Sequence, residues 1–182
     1  YKAGQVQLAS VTKKNASGLV GWWTFDGKDL STATATDKSG YGNHATLRAL
    51  AKPKATTGKI GQALKLGGGD QVAAALPSAS LNDIAQLTLV AWVKPTSLLD
   101  YPYLFTKRTS TASGWDVAVI SSRVRFENVF SGQDGVWEGP ALKLNTWQHV
   151  VMTYNHSSAS NVPTFYINGV ATTTTTVFQT TG

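Results

Sequence analysis

The amino-acid sequence predicts an all-β chain folded as an antiparallel β-sandwich, and three observations carry that expectation. Threonine, serine, alanine, glycine and valine dominate, aromatic residues reach 10% and charged residues only 14% of the 182 residues. That balance suits many short strands joined by polar turns. Apolar residues recur at alternate positions in short runs bounded by glycine, proline, asparagine or serine. Finally, Asn168-Gly169 separates two such runs, a strong two-residue hairpin signal. A chain of this length buries a proper core as one domain. Residues 1–17 read as an N-terminal strand and linker, and residues 18–182 as the sandwich.

Taken in chain order, residues 5–11 can form one extended strand, and 13–17 are linker-like. A strand is expected over 19–26, with Leu19, Gly21, Trp23 and Phe25 on one face and Val20, Trp22, Thr24 and Asp26 on the other. A long polar loop leads to 37–43, then a short strand to 45–50, and Pro53 breaks regular structure after it. Residues 58–66 form a turn feeding a strand, and 67–70 a tight glycine turn. That turn lacks the lysine and helix of a phosphate-binding loop and is excluded as one. A strand over 72–76 and a helical turn over 80–84, capped by Ser80, come next. The run 87–94 is apolar on both faces, which marks a central strand ended by Pro95. Strands over 103–107, 115–121, 123–130, 148–154, 164–167 and 170–174 complete the set. The threonines of 172–176 read as an edge strand and residues 132–139 as a loop.

Composition also excludes. Without cysteine there is no zinc-thiolate site, thiol nucleophile or disulfide framework. The net charge of +6 is spread over scattered lysines with no dense basic block or aromatic-basic motif, so no nucleic-acid partner is expected. No apolar run reaches the length of a membrane span, so none is expected in this chain.

The most telling stretch is the acidic end of the 19–26 run together with Asp37-Lys38-Ser39-Gly40-Tyr41-Gly42-Asn43-His44. A carboxylate near a glycine-rich loop of oxygen donors suits a hard cation such as calcium, and equally suits a polar turn.

Taken together these residues resemble the laminin-G-like, concanavalin-A-like lectin-glucanase jelly-roll domains of bacterial surface proteins. The resemblance rests on 19–26, on the Asp-x-Ser-Gly-x-Gly-Asn-x loop at 37–44, and on 58–66, 89–95, 147–154 and 165–169. It implies two curved antiparallel sheets and a structural calcium held by Asp26, Asp37 and Asn43 with backbone carbonyls. It also implies a noncatalytic extracellular or cell-surface module of bacterial origin that binds a glycan or surface glycoprotein. Gly27 stands where relatives often carry glutamate. Relatives continue to a final strand with an Asp-Glu-Val-Arg-like motif that this sequence lacks. The sandwich is therefore expected to miss its own final strand, a place open to residues 5–11 or to a strand-donating partner. The alternative reading is a structural or adhesive part of a bacterial surface assembly that pairs strands with a partner.

For catalysis, only Glu127 and Glu138 are glutamates, and they fall on different segments without the one-strand spacing of fold-related glycosidases, so no enzyme is expected. His44, His149 and His156 read as structural. Trp23, Trp92 and Trp147 read as core. The ligand-binding candidates are Trp22, Trp115 and Trp137 as sugar-stacking rings, with Asp134, Glu138, Arg123 and Arg125 as hydrogen-bonding partners and Tyr101 and Tyr103 as weaker ones.

Overall fold

The computed structural model describes residues 18–48, 54–66, 71–74, 85–97, 103–110, 113–130, 133–158 and 160–179. The expected strand at 5–11, the linker at 13–17, the glycine turn at 67–70 and the helical turn at 80–84 lie outside them. The chain divides into two compact units, Tyr1–Asp83 and Ile84–Gly182.

In the first unit a 3₁₀ turn, Gly27–Asp29, precedes five short strands: β1 (Thr34–Ala35), β2 (Ala45–Arg48), β3 (Lys54–Thr57), β4 (Gln62–Lys65) and β5 (Gln71–Ala74). They form a three-stranded sheet, β1-β2-β5, and a β3-β4 hairpin. Ala35, Ala45 and Leu47 are its buried centre, with Trp23, Phe25, Leu30 and Leu64 packed against them.

The run 19–26 is not a ladder strand, which corrects the expectation. Phe25 takes a φ of +58°, a left-handed conformation that ends an extended run. The polar groups of this segment go to the loop at 37–43. Lys38 N donates to the Trp22 carbonyl at 2.8 Å and Asn43 Nδ2 to the Val20 carbonyl at 2.7 Å.

The second unit is the sandwich. Its strands are β6 (Gln86–Val93), β7 (Tyr103–Ser110), β8 (Ser113–Ile120), β9 (Arg123–Phe130), β10 (Gln133–Ala141), β11 (Gln148–Asn155), β12 (Thr164–Ile167), β13 (Val170–Thr172) and β14 (Thr175–Gln179). They make a five-stranded sheet, β14-β10-β9-β8-β7, and a four-stranded one, β13-β12-β11-β6. Every pairing is antiparallel. Val117, Val119, Val124, Phe126 and Trp137 from the first sheet meet Leu87, Val150, Met152, Tyr154 and Phe165 from the second in one core. Alternation makes this possible: along β11, Gln148, Val150, Met152 and Tyr154 are buried while the residues between them are half-exposed.

The Asn168-Gly169 hairpin is present, with φ of +51° and +83° at its two residues, the mirror-image turn that matches strand twist. Asn168 also clamps β11, because its Oδ1 accepts His149 N and its own N–H reaches the His149 carbonyl, both at 2.9 Å.

Three expectations change. Residues 132–139 are mostly strand, since β10 is the second strand of the five-stranded sheet. β6 ends the four-stranded sheet instead of lying at its centre, and Val90 and Trp92 are 53% and 38% exposed. Trp92 is therefore not core; its ring sits 5.0 Å from that of His149. The threonine run does not form one edge strand, because it ends β13 in one sheet and begins β14 in the other.

Candidate functional site

The corner expected to hold a cation is organised around a single carboxylate. Asp37 Oδ1 accepts the N–H of Trp22 at 2.9 Å and of Ser39 at 2.8 Å. Its Oδ2 accepts the Ser39 hydroxyl at 2.7 Å and the Asn43 N–H at 2.9 Å. Burial alone would raise the Asp37 pKa, but these four donors outweigh it and hold the carboxyl below its ordinary range. Gly40 and Gly42, with φ of +90° and +74°, close the turn. Asn43 is also engaged, its side-chain N–H donating to the Val20 carbonyl and its backbone carbonyl accepting from Trp23 Nε1 at 3.0 Å.

Asp26 serves another purpose. Its Oδ1 accepts Gln62 N–H at 2.8 Å, and the carboxylate lies directly over Gly61, where a β-carbon would overlap it. Asp26 thereby ties the turn at 26–29 to the β3-β4 hairpin. Asp29, which sequence reasoning passed over, is buried and accepts Thr24 Oγ1 at 2.7 Å. It pairs with Lys38 Nζ at 3.3 Å, and the Thr24 hydroxyl and Lys38 hold its carboxyl low against burial.

Calcium takes six to eight oxygens with open lone pairs. Both Asp37 oxygens already accept two hydrogen bonds each. Asp26 and Asp37 are bonded to different neighbours, and no metal-holding group of three or more acidic, histidine or cysteine side chains occurs among the described residues. As placed, Asp26, Asp37 and Asn43 do not fit the ion.

The sugar-stacking candidates separate in the same way. Trp137 is 1% exposed, stacked on Phe126 at 5.7 Å and tilted against Tyr154 at 5.5 Å. It is a core residue, which corrects the expectation of an exposed ring. Trp115 is half-buried and packed against the same core, so it is not presented to a ligand either. Trp22 belongs to the first unit, half-buried, with its backbone held by Asp37 and Lys38. Asp134 pairs with Val129 in the ladder, and its side chain lies outside the described residues.

Arg125 and Glu138 do come together. They are directly opposite on β9 and β10, on the face of the five-stranded sheet turned away from the core. The register extends this face in two rows. One runs Thr106, Asp116, Glu127, Val136, Phe178; the other runs Tyr103, Ala118, Arg125, Glu138, Thr175. Residues opposite one another in such a ladder stand about 5 Å apart at Cβ. Glu138 is held by Arg123 Nε at 3.4 Å. Tyr103 and Phe178, at opposite edges, are 57% and 53% exposed.

Sequence reasoning missed Asp116, Glu127 and Phe178 as members of this face because it counted spacing along single strands. The turn at Ser121-Ser122 fixes the β8-β9 register, and that register determines the neighbours.

The chain matches the model of the concanavalin A-like lectin/glucanases superfamily across residues 66–182. It belongs to that superfamily. The match covers the whole sandwich and its charged face, whereas the Asp37 loop lies before it. No curated protein and no solved structure matches the chain. The lectin/glucanase membership points to a carbohydrate-binding type of module. Among the described residues, no helix is long and apolar enough to cross a membrane.

Proposed function

We propose that this chain is a noncatalytic extracellular recognition module that binds a glycan, free or on a glycoprotein, across the charged face of the five-stranded sheet. One observation carries the reading. Arg125, Glu127 and Glu138 lie side by side there, with exposed Tyr103 and Phe178 at the two edges. Carboxylates and guanidinium groups each offer paired hydrogen-bonding atoms that suit neighbouring sugar hydroxyls. Exposed rings supply flat apolar surfaces for the sugar's C–H groups. With strands about 4.8 Å apart, β9 and β14 are separated by about 10 Å, and Asp116 and Ala118 on β8 are buried, so the accessible part of the face spans about two sugar units.

Binding is favoured over hydrolysis by what the acids already do. Glycoside cleavage needs two carboxyl groups reaching one bond. Asp116 is only 4% exposed and Glu138 is engaged by Arg123.

A glycan array with the purified chain tests this. We expect binding to oligosaccharides that falls at least about tenfold in Glu127→Gln, with melting unchanged, and in Arg125→Ala. An array with no response sinks the reading, and release of reducing ends from a bound polysaccharide sinks its noncatalytic part. A second reading, a structural or adhesive component that pairs strands with a partner, is favoured by β6, whose second edge meets no strand among the described residues.

A further inference from the structure

Four strands end the two sheets of the sandwich, and three of them carry features that discourage pairing. β7 shifts register twice and carries Lys107, β14 meets β10 across a register shift, and β13 is only three residues long. β6 has no such device. Its eight residues run against β11 without a register shift. They include no charge, proline or glycine. Among the described residues, no strand pairs with the other edge of β6. A long, regular, uncharged edge is a template for another strand.

We propose that β6 is a self-pairing edge through which two copies of this chain join antiparallel, about a two-fold axis at Ala91, into one continuous eight-stranded sheet. Side-chain parity restricts the register. Opposite residues of an antiparallel pair share a face, so a slip of one residue would set Leu87 and Leu89, on the core side, against the solvent side of the partner. Among the permitted registers, the one centred on Ala91 sets the exposed Val90 of each copy opposite the partner's Trp92, and Leu89 opposite Val93. Aromatic and β-branched residues are favourable cross-strand neighbours. The same patch on both copies closes the assembly at two.

The inference rests on the strand-pairing reading and on nothing about sugar, so each can fail without the other. Sedimentation of the purified chain should show a concentration-dependent dimer. Val90→Lys should raise its dissociation constant at least about tenfold, with any glycan binding kept and with the melting temperature kept at dilutions where both proteins are monomeric, because Val90 is 53% exposed. The chain has no cysteine, so Ala91→Cys gives a clean register probe. Opposed strand positions fall within disulfide reach, and mild oxidation should cross-link that variant through its axis while Thr88→Cys stays uncrosslinked. A monomer up to the highest soluble concentration overturns the proposal. So does a dimer that is indifferent to Val90→Lys, or one in which Thr88→Cys cross-links and Ala91→Cys does not.

Discussion

The six-membered ring of the Trp137 indole lies over Gly135, two residues earlier on the same strand, so closely that a β-carbon at position 135 would overlap it. The pair explains why a glycine sits inside β10. Side chains two apart share a face of a strand, and the bare backbone at 135 is what lets a full indole reach Phe126 and Tyr154 within the core.

Gly135→Ala is therefore expected to destabilise the sandwich by about 2 kcal/mol, in the range of overpacked cores. Trp137→Ala should cost about 3–5 kcal/mol through the cavity it leaves. Urea denaturation monitored by circular dichroism checks both. A Gly135→Ala midpoint equal to wild type would show that the ring does not need the bare backbone.

These two residues also mark the limit of what the sequence makes legible. Alternation revealed the boundaries of Arg123–Phe130 and Thr164–Ile167, and Asn168-Gly169 revealed its hairpin. Gly135 and Gly139 gave β10 the signature of a loop, yet Gly135 accommodates Trp137 and Gly139 accommodates the ring of Phe165. Those reasons are tertiary, and no local pattern contains them. The same holds at the site. Glu138 and Arg125 were visible as polar partners, whereas the place of Asp116 and Glu127 beside them depends on register across strands. For residues 19–26, alternation was real, but a strand also needs a ladder partner, and the Asp37 loop takes up those backbone groups instead.

The β8-β9 turn offers a stabilising change. Ser121 and Ser122 hold φ of +48° and +70°, conformations that favour asparagine and glycine and strain an ordinary side chain. The double substitution Ser121→Asn with Ser122→Gly should raise stability by about 1 kcal/mol, part of the relieved strain being offset by the freer unfolded chain. A calorimetric melt reads this directly. An unchanged or lower melting temperature would mean that the serine side chains contribute something that backbone conformation does not account for.

Asp37 makes stability depend on acid. Its carboxyl is held below the ordinary range in the folded state, so its contribution is complete above the unfolded value of about 4 and is lost as pH falls through the folded one. Asp29 contributes in the same sense through Thr24 and Lys38. Between pH 7 and pH 3 the wild-type urea midpoint should fall, and it should fall less in Asp37→Asn, which has no proton to take up there. Equal slopes for the two proteins would remove Asp37 from the account. At pH 7, Asp37→Ala leaves the donors of Trp22, Ser39 and Asn43 without their acceptor and should cost about 3 kcal/mol or more.

The same four hydrogen bonds decide what calcium does to the loop at 37–43. A cation that used Asp37 would have to displace backbone donors from Trp22, Ser39 or Asn43, and those groups would then be left buried without acceptors. A ligand that prefers the folded state must raise the melting temperature, by an amount that grows with the logarithm of its concentration once that exceeds the dissociation constant. We therefore expect the melting temperature to stay the same in millimolar calcium and in chelator, and terbium added in place of calcium to give no luminescence sensitised by Trp22 or Trp23. A rise with calcium that continues logarithmically above the dissociation constant and disappears in Asp37→Asn would show that the carboxylate exchanges its protein donors for the ion, and would return Asp26, Asp37 and Asn43 to the role of ligands.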